Sequence, residues 1–301
     1  MQIARASGHS RKTLYKTILP YVLVAPLVIW LFATVGLSIV NVVYTSFQNT
    51  TFVGTRGEFV GFRNYINVLT DQSYWDAWIR SIIWIVGCSL LATIFGFALA
   101  LLLNSATGRL GEFARTWSIT SWIIPTICVA IIWLWILNAS FGILNHVLMN
   151  IGLISSPIVL LGNPDTALYA AIAIHVWRWF PFTAIILLAG LSTIPKELYE
   201  SASVDGASTI QKFFKITMPG LQNVTFTLGV VGTLWVFNVF DTIWLLTSGG
   251  PLNATTTVPI FIYWGAFRQF QLGRTSAASV ITSIIMFVVA MLLIKLTQPK
   301  D

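Results

Sequence analysis

Residues 18–43 read ILPYVLVAPLVIWLFATVGLSIVNVV, and no charged side chain occurs anywhere from Thr17 to Thr55. A helix needs roughly 20 apolar residues to cross the hydrocarbon core of a bilayer, and this run is long enough. It is too long for the about 7–15 apolar residues of a signal peptide, and no small-residue cleavage site follows, so a retained signal-anchor is expected. The rest of the chain agrees. Of 301 residues, 17 are Lys or Arg and 10 are Asp or Glu, which makes 9% charged against 56% hydrophobic. Soluble domains run near ~25% charged, so this chain has too few charges to cover a water-facing surface. A soluble enzyme or a nucleic-acid binder is excluded, despite the net charge of +7. The 13 Trp, 20 Phe and 8 Tyr suit aromatic belts at the membrane interfaces. Cys88 and Cys128 both lie inside apolar runs and read as small buried hydrophobes, with no disulfide or metal site implied.

Gaps between the sparse charges mark six predicted spans: residues 18–43, 81–103, 117–137, 166–191, 224–246 and 276–296. The fourth is interrupted by Arg178 and Pro181, and the fifth contains Asp241. Basic residues set the orientation. Arg5, Arg11, Lys12, Lys16, Arg109, Arg115, Lys196, Lys212, Lys215, Lys295 and Lys300 fall on one side, against Arg56, Arg63, Arg268 and Arg274 on the other. The richer side is cytoplasmic by the positive-inside rule, which puts both termini there. The expected organisation is a cytoplasmic tail over residues 1–17 and one six-helix permease domain over 18–301, all-α and integral to the membrane. Three longer loops lie opposite. Residues 44–78, with Gly54, Gly57, Gly61 and several aromatics, are expected to be ordered. Residues 138–165 are expected to hold a short amphipathic helix near 143–151. Residues 247–275 open with the turn Ser248-Gly249-Gly250-Pro251, where Gly supplies positive φ and Pro stops the helix.

Catalytic chemistry has nothing to stand on. There is no G-x-x-x-x-G-K-[ST], so no phosphate-cradling loop for ATP, and no H-E-x-x-H, C-x-x-C or G-x-S-x-G. His9, His146 and His175 are scattered, and His175, inside a span near Trp177, reads as a packed histidine rather than a functional one. No catalytic residue and no metal ligand is expected.

The loop between the fourth and fifth spans, residues 195–219, carries the strongest pattern. Pro195 opens a helix with Lys196, Glu197 and Glu200 in its early turns, where acids complement the positive end of the dipole. Asp205-Gly206 is a turn. Ser208 or Thr209 caps a second short helix carrying Phe213, Phe214 and Ile216, expected to stop before Pro219. Such a knob suits either docking into a partner or a connector lying on the membrane. The stretch Glu200-Ser201-Ala202-x-x-Asp205-Gly206-Ala207, followed by Phe213, Ile216 and Pro219, resembles the EAA loop of ABC importer permeases; Ser201 replaces the usual small Ala. Residues 59–65 (Phe-Val-Gly-Phe-Arg-Asn-Tyr), Phe240-Asp241 and Leu246-Thr247-Ser248-Gly249-Gly250-Pro251 are similar to the MalF-type permeases of carbohydrate importers. The resemblance covers nearly the whole chain and corresponds to the family's shorter, six-span form.

That resemblance implies a type I importer permease fold in the prokaryotic cytoplasmic (inner) membrane. It implies a second homologous permease, two ATP-binding cassette ATPases and an extracytoplasmic solute-binding protein as partners, besides membrane lipid and without nucleic acid. This chain would hold no cofactor; ATP and Mg would sit on the ATPases. Glu197, Glu200, Ala202, Asp205, Gly206, Ala207, Phe213, Ile216 and Pro219 would form the coupling loop. By the family's pattern Arg178, Trp179, Phe182, Gly232, Trp235, Val236 and Val239 would line the substrate path, although Val236 and Val239 stand where the maltose-transporting member has polar groups. The spacing of Gly232, Trp235, Asn238 and Asp241 adds the last two to the candidates, along one helical stripe. Arg178 and Asp241 are a candidate pair. The cargo would be a sugar or oligosaccharide, or else a polyol or glycerol phosphate. An ATP-independent secondary transporter is the rival reading, for which Asp241 is the single intramembrane carboxylate; a membrane enzyme is more remote.

Overall fold

A computed structural model describes residues 7–297, except 53, 54 and 56. The expectations for Gly54 and Arg56 therefore lie outside the described residues, as do those for Arg5, Lys300 and residues 1–6 of the tail. In chain order the elements are α1 (Ser7–Leu31), α2 (Leu37–Ser46), β1 (Gln48–Asn49), β2 (Glu58–Phe59), α3 (Arg63–Leu69), α4 (Gln72–Ser105), α5 (Gly108–Ser118), α6 (Thr120–Ile123), α7 (Thr126–Ile136) and α8 (Ile143–Asn150). They continue with α9 (Ala167–Leu191), α10 (Lys196–Val204), α11 (Thr209–Lys212), α12 (Met218–Gly220), α13 (Gln222–Phe237), α14 (Asp241–Thr247), α15 (Val258–Phe267) and α16 (Leu272–Thr297). Widened π turns join α1 to α2 over Phe32–Gly36 and α11 to α12 over Phe213–Thr217.

Among the described residues, four helices are long and apolar enough to cross a membrane: Ile18–Ser46, Gln72–Ser105, Ala167–Leu191 and Leu272–Lys295. Two bent pairs bring the number to six if each is one span: Gly108–Ile123 with Thr126–Ile136, and Thr209–Gly220 with Gln222–Phe237. Two of the six predicted spans are thus broken. The third turns by 89° at Ile124-Pro125. Ile124 adopts the extended conformation (ψ 130°) that a following proline enforces. The fifth does not run from 224 to 246. It ends at Phe237, where the Asn238 side chain folds back to donate to the Leu234 carbonyl at 2.8 Å. A new helix starts at Asp241, whose carboxylate accepts from the Thr242 amide at 2.8 Å. An acid in the first turn favours that start. Pro181, by contrast, sits inside α9 without interrupting it. The second helix begins well before residue 81, because Asp71 caps it by accepting from the Ser73 amide at 3.0 Å.

The chain divides into two compact units. One comprises the described residues up to 69 together with 265–281. Its long first span has none of its most apolar window buried, and Thr34 and Ser38 return their hydroxyls to the carbonyls of Trp30 and Thr34. Residues 7–17, expected as tail, are helical and continuous with this span. The loop after it is ordered: Asn64 donates to the carbonyls of Ser46 and Gln48 at 2.9 Å each, and Ser46 Oγ lies 2.6 Å from the Tyr65 hydroxyl.

The other unit comprises residues 70–264 and the described residues from 282 onward. Its core is α4 against α9. Ala100, Ala171 and Ala184 are fully buried along this seam, and a Cβ on Gly96 would meet Thr183 Cγ2 at 2.8 Å. Small residues let two backbones approach closely where lipid gives no hydrophobic drive. Cys88 is buried here as expected; Cys128 is exposed, contrary to expectation, because the apolar helix α7 turns that face outward. The amphipathic helix expected near 143–151 is α8. The loop 247–275 contains an unanticipated helix, α15, held by the Ser81 hydroxyl accepting from the Val258 amide at 2.9 Å. Its opening turn has Gly249 at φ 90° as expected, and Ser248 also adopts positive φ at 49°.

Candidate functional site

The loop 195–219 is built from α10 and α11 around one tight turn. Asp205 follows the last residue of α10, and Gly206 takes φ 75°. The Gly206 amide donates to the Ser203 carbonyl (3.1 Å) and the Ala207 amide to the Ala202 carbonyl (2.9 Å). This is a Schellman termination, and the left-handed position at its centre favours glycine. It gives Gly206 a physical reason at that position, while Ala202 and Ala207 contribute their backbone carbonyl and amide. Ser208 then caps α11 in a reciprocal box with Gln211. The helix does not stop before Pro219 but runs through it to Gly220. The wide turn over Phe213–Thr217 supplies the room that a proline ring takes from the preceding turn.

The loop has a root and a tip. Tyr199 and Thr217 bond through their hydroxyls at 2.9 Å, the Phe213 ring meets Phe97 of α4 at 6.2 Å, and Ile216 packs on the core around Leu187 and Leu221. Phe213, Ile216 and Tyr199 are half-buried, each with one side packed on the chain itself. Glu197, Glu200, Asp205, Gly206 and Pro219 are exposed, and so are Val204, Ile210 and Phe214. Charged and apolar groups thus lie exposed together at the tip.

A cavity of about 510 Å³ lies between α4, α9 and α13. Six of the predicted path residues line it: Trp179, Phe182, Gly232, Trp235, Val236 and Val239. Its aromatic wall is ordered by ring contacts: Trp179 to Trp235 at 6.4 Å, Trp179 to Phe182 at 5.8 Å, and Phe182 stacked on Trp122 at 4.7 Å. The Trp84 indole donates to the Val236 carbonyl at 3.0 Å and ties α4 to the far wall.

Three predicted residues are not in the cavity. Arg178 does not line it: its Nε and Nη2 donate to the Ile124 carbonyl at 3.3 and 3.1 Å, with the guanidinium 5.9 Å from the centre of the Trp179 ring. Asn238 is consumed by the end of α13, and Asp241 is exposed at the start of α14. The break at 238–240 destroys the expected stripe, and no Arg178–Asp241 ion pair forms. Ser89 and His175 line the cavity without having been singled out for it. Cys88, Ser89, Ala92 and Thr93 are spaced to share one helical face, which was the available signal. His175 is packed, as expected, between Trp84 (5.1 Å) and Trp179 (5.8 Å), yet it borders the cavity.

Residues 92–300 match the family described as binding-protein-dependent transport system inner membrane component. The chain belongs to this family. The permease is 34% identical over 274 residues to a trehalose/maltose transport system permease protein of Thermococcus litoralis, covering 91% of this chain and 90% of that one. It is 32% identical over 272 residues to an sn-glycerol-3-phosphate transport system permease protein of Agrobacterium fabrum, covering 89% and 90%. Its fold matches a chain in the crystal structure of a bacterial alginate ABC transporter in complex with a periplasmic protein bound to alginate pentasaccharide, with a TM-score of 0.83 at 22% identity over 95% of this chain and 97% of that one. The permease is thus a transport subunit of an ABC importer and an inner-membrane component.

Proposed function

We propose that this permease forms one half of the conduit of a carbohydrate importer. An extracytoplasmic binding protein delivers the solute, a second homologous permease closes the path, and two ATPase subunits bind and hydrolyse ATP with Mg. Both termini and the loop 195–219 face the cytoplasm, as the basic residues indicate. Ala202, Gly206 and Ala207 shape the loop, Glu197, Glu200, Asp205 and Pro219 present it to the ATPase, and Phe213 and Ile216 root it.

One observation carries the reading. The loop connects α9 to α13, and these are two of the three helices that wall the aromatic cavity. Movement of the tip passes through the Tyr199–Thr217 bond and the 63° bend between α12 and α13 into the cavity wall. Nucleotide-driven closure of the ATPases can therefore open and close the cavity by rigid-body movement of helices. Trp179, Phe182 and Trp235 offer flat apolar platforms to the faces of sugar rings. The test is a screen of sugars and relatives for stimulation of ATP hydrolysis by the four-chain complex with its binding protein in liposomes. Stimulation by a carbohydrate is expected; a complex that no solute stimulates would refute the reading.

A further inference from the structure

We propose that Arg178 is a positioning residue, the latch that holds the third span bent and, through that bend, sets the aromatic wall of the cavity. Its meaning for transport rests on the import reading above; the latch itself does not. Three contacts join residues 122–124 to α9. The Ile124 carbonyl accepts from Arg178 Nε and Nη2 at 3.3 and 3.1 Å. Trp122 stacks on Phe182 with ring centres 4.7 Å apart and meets Trp179 edge-on at 6.3 Å. The Arg178 guanidinium also lies 5.9 Å from the centre of the Trp179 ring. Trp179 and Phe182 line the cavity, and Arg178 touches the wall only through them and the break.

The latch has a competitor within the chain. In an unbroken α-helix the Ile124 carbonyl would accept from the Cys128 amide, four residues on. Here the Val129 amide makes the first bond of α7, donating to the Pro125 carbonyl at 3.1 Å. The Cys128 amide falls among the first-turn donors that a helix start leaves over. Proline does not forbid the continuous form, since α9 runs through Pro181. The Ile124 carbonyl thus has two claimants: a side chain when the span is bent, a backbone amide when it straightens. Two discrete arrangements of one group make an element that a transport cycle can bias. When the carbonyl passes to Cys128, the guanidinium is released beside Trp179 and Trp122 leaves Phe182. The cavity wall therefore changes with the bend.

The experiment measures the bend by the distance between two spin labels. They are placed at Leu110→Cys and Ile132→Cys, both exposed positions that flank the break, with Cys88 and Cys128 replaced by alanine. The sample is the permease–ATPase complex in nanodiscs, labelled on this permease alone. A straight helix would separate the two backbones by about 33 Å, and a right-angled break by about 25 Å. The shorter distance should dominate, and Arg178→Met should raise the population at the longer one at least threefold. Arg178→Lys, which keeps a donor, should fall between. Pro125→Ala should shift the distance the same way, and adding Arg178→Met to it should change little, because both act at one carbonyl. An unchanged distance in Arg178→Met, or full additivity of the two substitutions, overturns the latch. Both substitutions should also raise the solute concentration that half-stimulates ATP hydrolysis at least fivefold. A straightened span with unchanged half-stimulation overturns its link to the cavity. A complex that no solute stimulates refutes the import reading and leaves the latch to be decided by the distances.

Discussion

The guanidinium of Arg178 donates twice to the carbonyl of Ile124, at 3.3 Å from Nε and 3.1 Å from Nη2. Ile124 precedes Pro125 at the point where the third span turns by 89°. A broken helix leaves carbonyls without intrahelical donors, and in a membrane such groups must be satisfied from elsewhere in the protein. Arg178 does this from α9, and its fork reaches one acceptor from two nitrogens at once. The intramembrane arginine is thus a fastening for the bend, separate from Asp241.

Arg178→Met should destabilise the purified complex by roughly 1.5–3 kcal/mol, the range for a hydrogen bond to a charged group. In a double-mutant cycle with Asp241→Asn the two effects should add within about 0.5 kcal/mol. The check is thermal unfolding of the single and double variants; mutual rescue would show that the two residues pair after all.

Gly206 sits at φ 75° with its amide on the Ser203 carbonyl. Proline can adopt neither that angle nor that bond. Gly206→Pro should abolish solute-coupled ATP hydrolysis. Gly206→Ala should cost about 1–2 kcal/mol of local stability, and Gly206→Asn should be tolerated best. The order Gly, Asn, Ala, Pro in coupled ATP hydrolysis is the measurable result.

The α4–α9 seam depends on Gly96, where an added Cβ would come within 2.8 Å of Thr183 Cγ2 and 3.1 Å of Thr183 Cβ. Gly96→Val should lower stability by about 1–3 kcal/mol through overpacking. A thermal melt reads this directly. The same change next to the cavity should lower solute affinity, because Thr183 also lines it.

Ser208→Ala removes the hydroxyl that accepts from the Gln211 amide at 3.3 Å. A loss of about 1 kcal/mol is expected, as for other N-caps. Amide hydrogen exchange over residues 209–212 should quicken while that of α9 stays unchanged.

The continuous spans were legible in the sequence because charge is sparse and each of these apolar runs is long enough to cross a bilayer. The two broken spans were not. A hydropathy window averages over Ile124-Pro125 and over Asn238, and a bend leaves the mean unchanged. The loop 195–219 was the most legible in shape, since Gly206 answers to the left-handed position of its turn and Ser208 to the cap of its second helix. The cavity was half legible. Aromatics and small residues on α9 and α13 followed from the resemblance, whereas Ser89 and His175 looked like lone polar residues in apolar helices. Arg178 and Asp241 carry structural bonds that their charge alone did not reveal. One fastens a bend and the other begins a helix.

The most direct test of the account is uptake of a radiolabelled neutral disaccharide into proteoliposomes. The four-chain complex with its binding protein is compared with this permease alone, each with and without ATP. The account predicts uptake only by the complete assembly with ATP, and its loss in Gly206→Pro. Uptake by the permease alone, or uptake without ATP, would contradict it.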